Sequence, residues 1–418
     1  MTTPSIPSHL QWRERVRGGK AIPSLHNTVM MLHAFGIQCR YNAFHDKILI
    51  GFRDATHEIE TLIGEVSDKT LVMLRKLLSD QFNFDPMPNH VYDAVQTEAF
   101  QHCFDPILDM LEKAQADWDR EKRLDAWVVN YLGCDLTDLN CAIGRKVLIA
   151  AVRRARSPGC KFDAITVLEG PEGRNKSTAI RILAGDANFS DQSLLMARDR
   201  EVQEQLCGVW MHENADLAGM RRADVEHVKA FASRQVDIAR PAYGKIVQRK
   251  PRRSIEWGTT NNSEYLQSQS GNRRFWPLST GTIDVDGLTR DRLQLLGEAA
   301  YWEQQGETLL LGDGLWGDVA DAQELRRYRD PWEDILENIP ESVDANGTFG
   351  VKILHNGGGV TKVTNHDLLR YVLGVDPSQQ NVSHGIRLST IMRKHGWTKD
   401  RVVTEPGSTR LRGYWKAM

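Results

Sequence analysis

Up to about residue 110, short apolar runs alternate with polar turns. Ile48–Phe52 (ILIGF) reads as a strand. Asp68–Phe82 (DKTLVMLRKLLSDQF) repeats its apolar positions with a helical period, and Asp68 is placed to cap it. Residues 106–156 are mostly helical in pattern, with PILDMLEKAQADWDREKRLDAWVVNYLG followed by LNCAIGRKVLIAAVRRAR. Ser157-Pro158-Gly159 breaks that pattern, and the following AITVL fits a buried strand. From 160 to about 285, strand and helix patterns alternate, which predicts an α/β fold with a mostly parallel sheet. The segment ESVDANGTFGVKILHNGGGVTKV is rich in glycine and polar residues and places a boundary near 330–345. The tail reads as a helix (NHDLLRYVLG), a second helix (HGIRLSTIMRKHG) and two extended pieces around a turn at Pro406-Gly407. The expected organisation is a mixed α/β or helical region over 1–105, a helical lead-in over 106–156, an α/β core over 157–330 and a small domain over 345–418.

Composition narrows the class. The 418 residues allow two to three domains, and 41% hydrophobic with 26% charged residues is ordinary for a soluble chain. The longest apolar run, Val147–Val152, falls far short of a bilayer span. No apolar segment near the N-terminus suggests a secretion signal. Six cysteines without a CxxC pair argue against a zinc site or a disulfide framework, so a reducing cytoplasm is the expected home. The net charge of −2 conceals local excess: residues 234–253 hold seven basic residues and one acidic.

The candidate chemistry begins at LEGPEGRNKSTAIRILAG, a strand, a turn and a helix opening with Lys-Ser. In a phosphate-binding loop, backbone N–H groups cradle phosphates, the lysine reaches the β and γ phosphates and the hydroxyl holds Mg²⁺. Here Gly170, Pro171, Glu172, Gly173, Arg174 and Asn175 form the turn, and Lys176, Ser177 and Thr178 open the helix. Only Asn175 departs from the pattern GxxxxGK[ST]. Asparagine tolerates a left-handed backbone, so the loop survives if that is what the position requires. Downstream, GVWMHENADL is a short apolar strand with polar residues at its C-terminal end, where open α/β sheets bind ligands. Glu213 is placed to orient an attacking water, and Asp216 is a weaker candidate for metal or structure. His212-Glu213 begins a zinc-protease pattern, but Asp216 stands where the second histidine belongs. Asn261, at the end of SIEWGTTNN, could contact a γ-phosphate or the water. Arg273 and Arg274 in GNRRFWPL are either a surface pair or an arginine finger acting on a neighbouring subunit. The basic stretch around Tyr243, Lys245, Arg249, Lys250, Arg252 and Arg253 suits phosphate contacts plus base stacking on single-stranded DNA, or else is a solvated hairpin.

Taken in order, these motifs with VKAFASRQVDIARPAYG resemble the virulence-associated protein E family of phages, prophages and phage satellites. The resemblance covers roughly residues 100–285. That family is similar to superfamily 3 helicases, AAA+ ATPases that form ring hexamers around DNA. The resemblance implies a P-loop AAA+-like core with ATP and Mg²⁺ at Lys176 and Ser177, and Glu213 in the carboxylate role. It also implies a sensor role for Asn261, a finger role for Arg273 or Arg274, and a channel hairpin at Lys245 and its neighbours. Asn175 and the lone Glu213 followed by Asn214 depart from the usual pattern. No primase motif is visible, so a primase would be a separate protein.

The tail resembles a winged helix, in which Arg387, Arg393, Lys394, Arg410 and Arg412 would meet DNA phosphates. The function these features predict is ATP-driven translocation on, or unwinding of, DNA. The alternatives are an ATP-dependent origin binder or loader that does not unwind, and a non-hydrolysing DNA-binding or interaction protein.

Overall fold

A computed structural model of the chain describes residues 21–53, 62–82, 84–240, 246–266, 271–345, 348–404 and 409–417. The chain divides into two compact units, one ending at Arg327 and the other beginning at Tyr328.

The first unit opens with α1 (Leu25–Ala34), β1 (Ile37–Asn42), β2 (Lys47–Phe52), β3 (Gly64–Glu65), α2 (Asp68–Phe82), α3 (Pro88–Gln101) and β4 (Cys103–Phe104). Its strands lie in the order β3-β2-β1-β4. The helices cover the sheet with a separate small core that includes Leu32, Ile50, Leu74, Leu78 and Val95. Asp68 is the first helical residue of α2 and does not cap it, because the Thr70 N–H donates to Ser67 Oγ at 3.2 Å. Three helices follow: α4 (Pro106–Ala116), α5 (Trp127–Leu132) and α6 (Asp138–Arg156). Val147–Val152 lies entirely buried in the middle of α6, so the apolar run serves the core. Among the described residues, no helix is long and apolar enough to cross a membrane.

The core itself comprises β5 (Ile165–Glu169), α7 (Lys176–Ala184), β6 (Phe189–Ser190), α8 (Asp199–Gln205), β7 (Met211–Asn214), α9 (Arg222–Ala232), β8 (Val236–Ala239), β9 (Gln248–Pro251), β10 (Ile255–Thr260), β11 (Phe275–Ser279), α10 (Val285–Gln304) and α11 (Trp316–Leu325). Five strands form a sheet in the order β11-β5-β10-β7-β6, and every neighbouring pair is parallel. A parallel sheet must be covered on both faces, and β5 and β10 are accordingly buried at every residue. Trp210, Trp257 and Trp276 pack between the sheet and the helical layer, sharing one core with α6, α7 and α10. The strand that follows β5 in the chain lies at the far edge of the sheet, which opens a crevice at the carboxyl ends of the central strands.

β8 and β9 form a separate antiparallel hairpin, from Val236↔Pro251 to Ala239↔Gln248. Tyr243 and Lys245 lie outside the described residues. The basic residues after the hairpin loop correct one expectation. Arg252 is only 4% exposed; its Nε and Nη2 donate to the two Asp237 carboxylate oxygens at 2.7 and 2.8 Å, and it stacks over the Phe231 ring at 3.8 Å. Arg253 pairs with Asp105 and lies over Phe44, and Lys250 pairs with Asp46. These three cations are neutralised within the chain, because the basic stretch runs from the hairpin into the buried start of β10. Arg249 remains exposed, beside exposed Ile246 and Val247.

The second unit contains α12 (Pro331–Glu337), β12 (Ser342–Ala345), β13 (Thr348–Lys352), β14 (His355–Gly357), β15 (Val360–Thr364), α13 (Asn365–Asp367), α14 (Val382–Lys394), β16 (Thr398–Val402) and β17 (Leu411–Ala417). β12 and β13 pair as a hairpin, and a second, antiparallel sheet has the order β14-β15-β17-β16. The glycine-rich stretch expected to mark a boundary is therefore strand-forming. Gly358 and Gly359, with φ of 62° and 76°, make the two-residue turn between β14 and β15, a conformation that favours glycine. The turn at Pro406-Gly407 lies outside the described residues. On α14, Arg387 donates from Nε and Nη2 to Asp330 and stacks over Trp332, and Lys394 pairs with Glu333. Arg387 and Lys394 thus find counter-charges at the N-cap and first turn of α12, and both keep exposed surface. Arg393, Arg410 and Arg412 are exposed.

Replacing Arg252 by Met leaves buried Asp237 without its bidentate partner, with only the long 3.9 Å approach of Arg234 remaining. The expected loss of stability in chemical denaturation is about 3–5 kcal/mol, against roughly 0.5 kcal/mol or less for Arg249→Met at the exposed neighbouring position. Equal losses would contradict the assignment of Arg252 to the interior.

Candidate nucleotide site

The loop between β5 and α7 is built from unusual backbone. Gly170 has φ of 150°, and a Cβ there would lie 2.8 Å from Thr280 Oγ1. Asn175 has φ of 59° and ψ of 24°, a left-handed residue at the start of α7. The position before the lysine thus needs a conformation that asparagine adopts readily. The first turn of α7 then turns its free N–H groups toward the loop, an arrangement suited to anions.

Lys176, 7% exposed, is the first residue of α7. Its ammonium donates to the carbonyls of Gly170 (2.7 Å) and Pro171 (2.8 Å) and to Asn261 Oδ1 (2.8 Å). All three acceptors are neutral. Burial pulls the Lys176 pKa below its ordinary 10.5, and the more distant charges of Glu172 and Glu213 only partly oppose this. Glu213 is 1% exposed on β7. Its Oε1 accepts from Ser177 Oγ at 2.7 Å and from Thr259 Oγ1 at 2.6 Å, whereas its buried Oε2 has no hydrogen-bond partner. The loop, Ser177, Asp216, Thr259 and Asn261 line a cavity of about 380 Å³. Asp216 stands exposed at its rim, itself in a left-handed conformation with φ of 49°.

Sheet register brings these groups together. Trp257 lies beside Glu213 and Thr260 beside Glu169, so the ends of β5, β7 and β10 converge. Strand alternation separates Glu213 from its neighbours. His212 and Asn214 point away from the loop, and both bond Glu256, His212 at 2.8 Å and Asn214 at 3.0 Å. Thr259 belongs to no sequence motif. Its place two residues after the buried Trp257, within GTTNN, was the available signal.

Arg273 and Arg274 are not part of this cluster. They precede β11, whose Phe275 lies beside Ile165 at the start of β5, so a strand length of about 15 Å separates them from the loop. Arg274 donates to Ser233 Oγ at 2.9 Å and lies 3.4 Å from Asp163, whereas Arg273 is exposed.

A family model described as the virulence-associated protein E-like domain matches residues 111–328, more than half of the chain and all of the core sheet. The chain belongs to this family. Among solved structures, the apo structure of the NrS-1 C terminal region (305-718) is 8% identical with a TM-score of 0.43, covering 93% of this chain and 98% of that one. An A form apo structure of the same region is 10% identical, with the same coverage and TM-score. No curated protein matches the sequence. Within the virulence-associated protein E-like domain, the matched region contains the loop, Glu213, Asn261 and both arginines.

The His212–Glu256 pair beneath the site gives a pH test. Burial alone would lower the histidine, but the Glu256 carboxylate, its hydrogen bond and the Gln192 carbonyl hold it above its ordinary 6.5. Burial would raise Glu256, but His212, with help from Arg252 and Asn214, holds it below 4.5. The histidine's contribution is complete below 6.5 and is lost as pH rises through its raised value. The glutamate's contribution is complete above 4.5 and is lost as pH falls through its lowered value. Thermal melts of the wild type and His212→Asn should therefore differ most between 4.5 and 6.5. A gap that widens steadily into alkaline pH would contradict the pairing.

Proposed function

We propose that this protein is an AAA+-like P-loop ATPase that couples ATP hydrolysis to movement on, or unwinding of, DNA during replication of a phage, prophage or satellite genome. The observation that carries this reading is the Lys176 ammonium, nearly buried at the mouth of a loop and held only by neutral oxygens. Such a cation is matched by an incoming anion of the size of a triphosphate tail.

The residues also fit Mg²⁺. A hard cation takes oxygen ligands, and the Ser177 hydroxyl offers one, with Asp216 at the rim. When bound, the ion would neutralise charge on the β and γ phosphates. The chain's own residues do the rest. Lys176 exchanges the two loop carbonyls for phosphate oxygens and stabilises charge on the γ-phosphoryl group. Glu213, fixed through Oε1 by two hydroxyls, presents Oε2 to orient the attacking water, so the ion would rest on the Ser177 hydroxyl and the Asp216 side of the cavity and meet Glu213 only through that water. Asn261, already on Lys176, follows the γ-phosphate.

The parallel sheet supports a shared site. Arg273 lies too far from its own loop to act there, and its exposure suits a contact with nucleotide held by a neighbouring subunit of a ring, as in hexameric helicases. Arg274 is already tied to Ser233. Single-stranded DNA in a central channel would meet the β8–β9 hairpin through Arg249 together with Tyr243 and Lys245. The C-terminal unit, with helices followed by the β16–β17 hairpin, supports a winged-helix-like role in which Arg393, Arg410 and Arg412 face DNA.

ATP hydrolysis by the full chain should rise with single-stranded DNA and vanish in Lys176→Ala. Glu213→Gln should keep ATP affinity and lose roughly 10²-fold or more in turnover. Equal turnover in wild type and Lys176→Ala would overturn the reading. Mixing Arg273→Ala with Lys176→Ala subunits, each inactive alone, should restore part of the activity, since each supplies what the other lacks. No recovery would contradict action between subunits. Strand displacement then separates a motor from a loader.

A further inference from the structure

Glu169 is the last residue of β5 and immediately precedes Gly170. Its carboxylate is saturated. Oε1 accepts from the Tyr265 hydroxyl (2.8 Å) and from Arg326 Nε, and Oε2 accepts from Ser279 Oγ (2.8 Å) and Arg326 Nη2 (2.8 Å). Its carbonyl accepts from the Thr280 N–H (2.8 Å) and the Thr280 hydroxyl (2.7 Å). The residue before the phosphate loop is thus held far more firmly than the exposed loop itself. Arg326 also reaches a second part of the site. Its backbone carbonyl accepts the N–H groups of Tyr265 (3.1 Å) and Leu266 (3.0 Å), a few residues beyond Asn261. None of these contacts involves the reacting groups, and the sequence around Arg326 carries no motif.

We infer that Arg326 is a positioning residue for nucleotide turnover: one guanidinium and one carbonyl fix the phosphate loop and the Asn261 segment relative to each other, and so set the gap that Lys176 spans. This rests on the function proposed above. Lys176 bonds both Gly170 and Asn261 at 2.7–2.8 Å. A shift of one support against the other would misplace the lysine, and displacements of about 1 Å can cost roughly a hundredfold in rate. Arg326 lies just before Tyr328, where the second unit begins. The position that steadies the site is therefore also close to the connection to that unit.

The test uses the full chain with Arg326→Lys, which keeps the charge and loses the planar fork, and Tyr265→Phe, which removes one bond and leaves the ion pair. The control is Arg145→Lys, which weakens the comparable Arg145–Glu307 pair between α6 and the segment that follows α10. Hydrogen–deuterium exchange is read on peptides spanning 169–176 and 259–266 without nucleotide, alongside kcat and KM for ATP. In both site variants these peptides should exchange faster and kcat should fall by roughly tenfold to a hundredfold, with neither change in Arg145→Lys. Unchanged exchange in Arg326→Lys, or the same loosening in Arg145→Lys, overturns the inference while leaving the ATPase reading intact. If the wild type hydrolyses no ATP at all, the proposed function fails, and this role fails with it.

Discussion

Burying a lysine ammonium without a carboxylate partner costs free energy, and the first unit is arranged around that cost at Lys176. Two loop carbonyls can turn toward the ammonium only because Gly170, Gly173 and Asn175 all take positive φ. The third acceptor, Asn261, follows the end of β10, which lies beside β5 in parallel register. A site that holds a cation on neutral dipoles gains when an anion replaces them, so the cost of burying the ammonium and the proposed affinity for phosphate have one origin.

Glu213 is the electrostatic counterpart. A carboxylate in the interior is tolerated where hydrogen bonds stabilise it, and Ser177 and Thr259 both serve a single oxygen. The other oxygen is left for a ligand. Ser177 stands next to Lys176 on α7, so anion and metal would be gripped by adjacent residues of one helix turn. The same parallel register that gathers these groups at one end of the sheet carries Arg273 to the opposite end. One geometric rule thus gathers most of the candidate residues at one end of the sheet and sets Arg273 apart from them.

Much of this was legible in the sequence, for local reasons. Strand-turn-helix patterning located the loop, the apolar run before His212-Glu213 located β7, and the polar end of TTNN located Asn261. Asn175 was readable as a tolerable left-handed residue, and its φ of 59° is that conformation. What the sequence did not reveal depends on distant partners. Arg252, Arg253 and Lys250 looked like a nucleic-acid patch, but Asp237, Asp105 and Asp46 neutralise them from other elements. Arg387 and Lys394 likewise pair with acids at the N-cap and first turn of α12, which no local pattern announces. Thr259, Glu169 and Arg326 belong to no motif, and their importance appears only when strand ends meet. The glycine-rich stretch after 340 reads as a boundary yet forms strands, because glycine pairs signal a tight hairpin turn as readily as a linker.

The most direct measurement is an experimental structure of the protein with Mg²⁺ and a non-hydrolysable ATP analogue. The account predicts the γ-phosphate against Lys176, whose ammonium has left the Gly170 and Pro171 carbonyls, the ion on the Ser177 hydroxyl, and a water between the γ-phosphate and the free oxygen of Glu213. Lys176 still bound to both carbonyls at saturating analogue, with nothing in the cavity beside it, would contradict it.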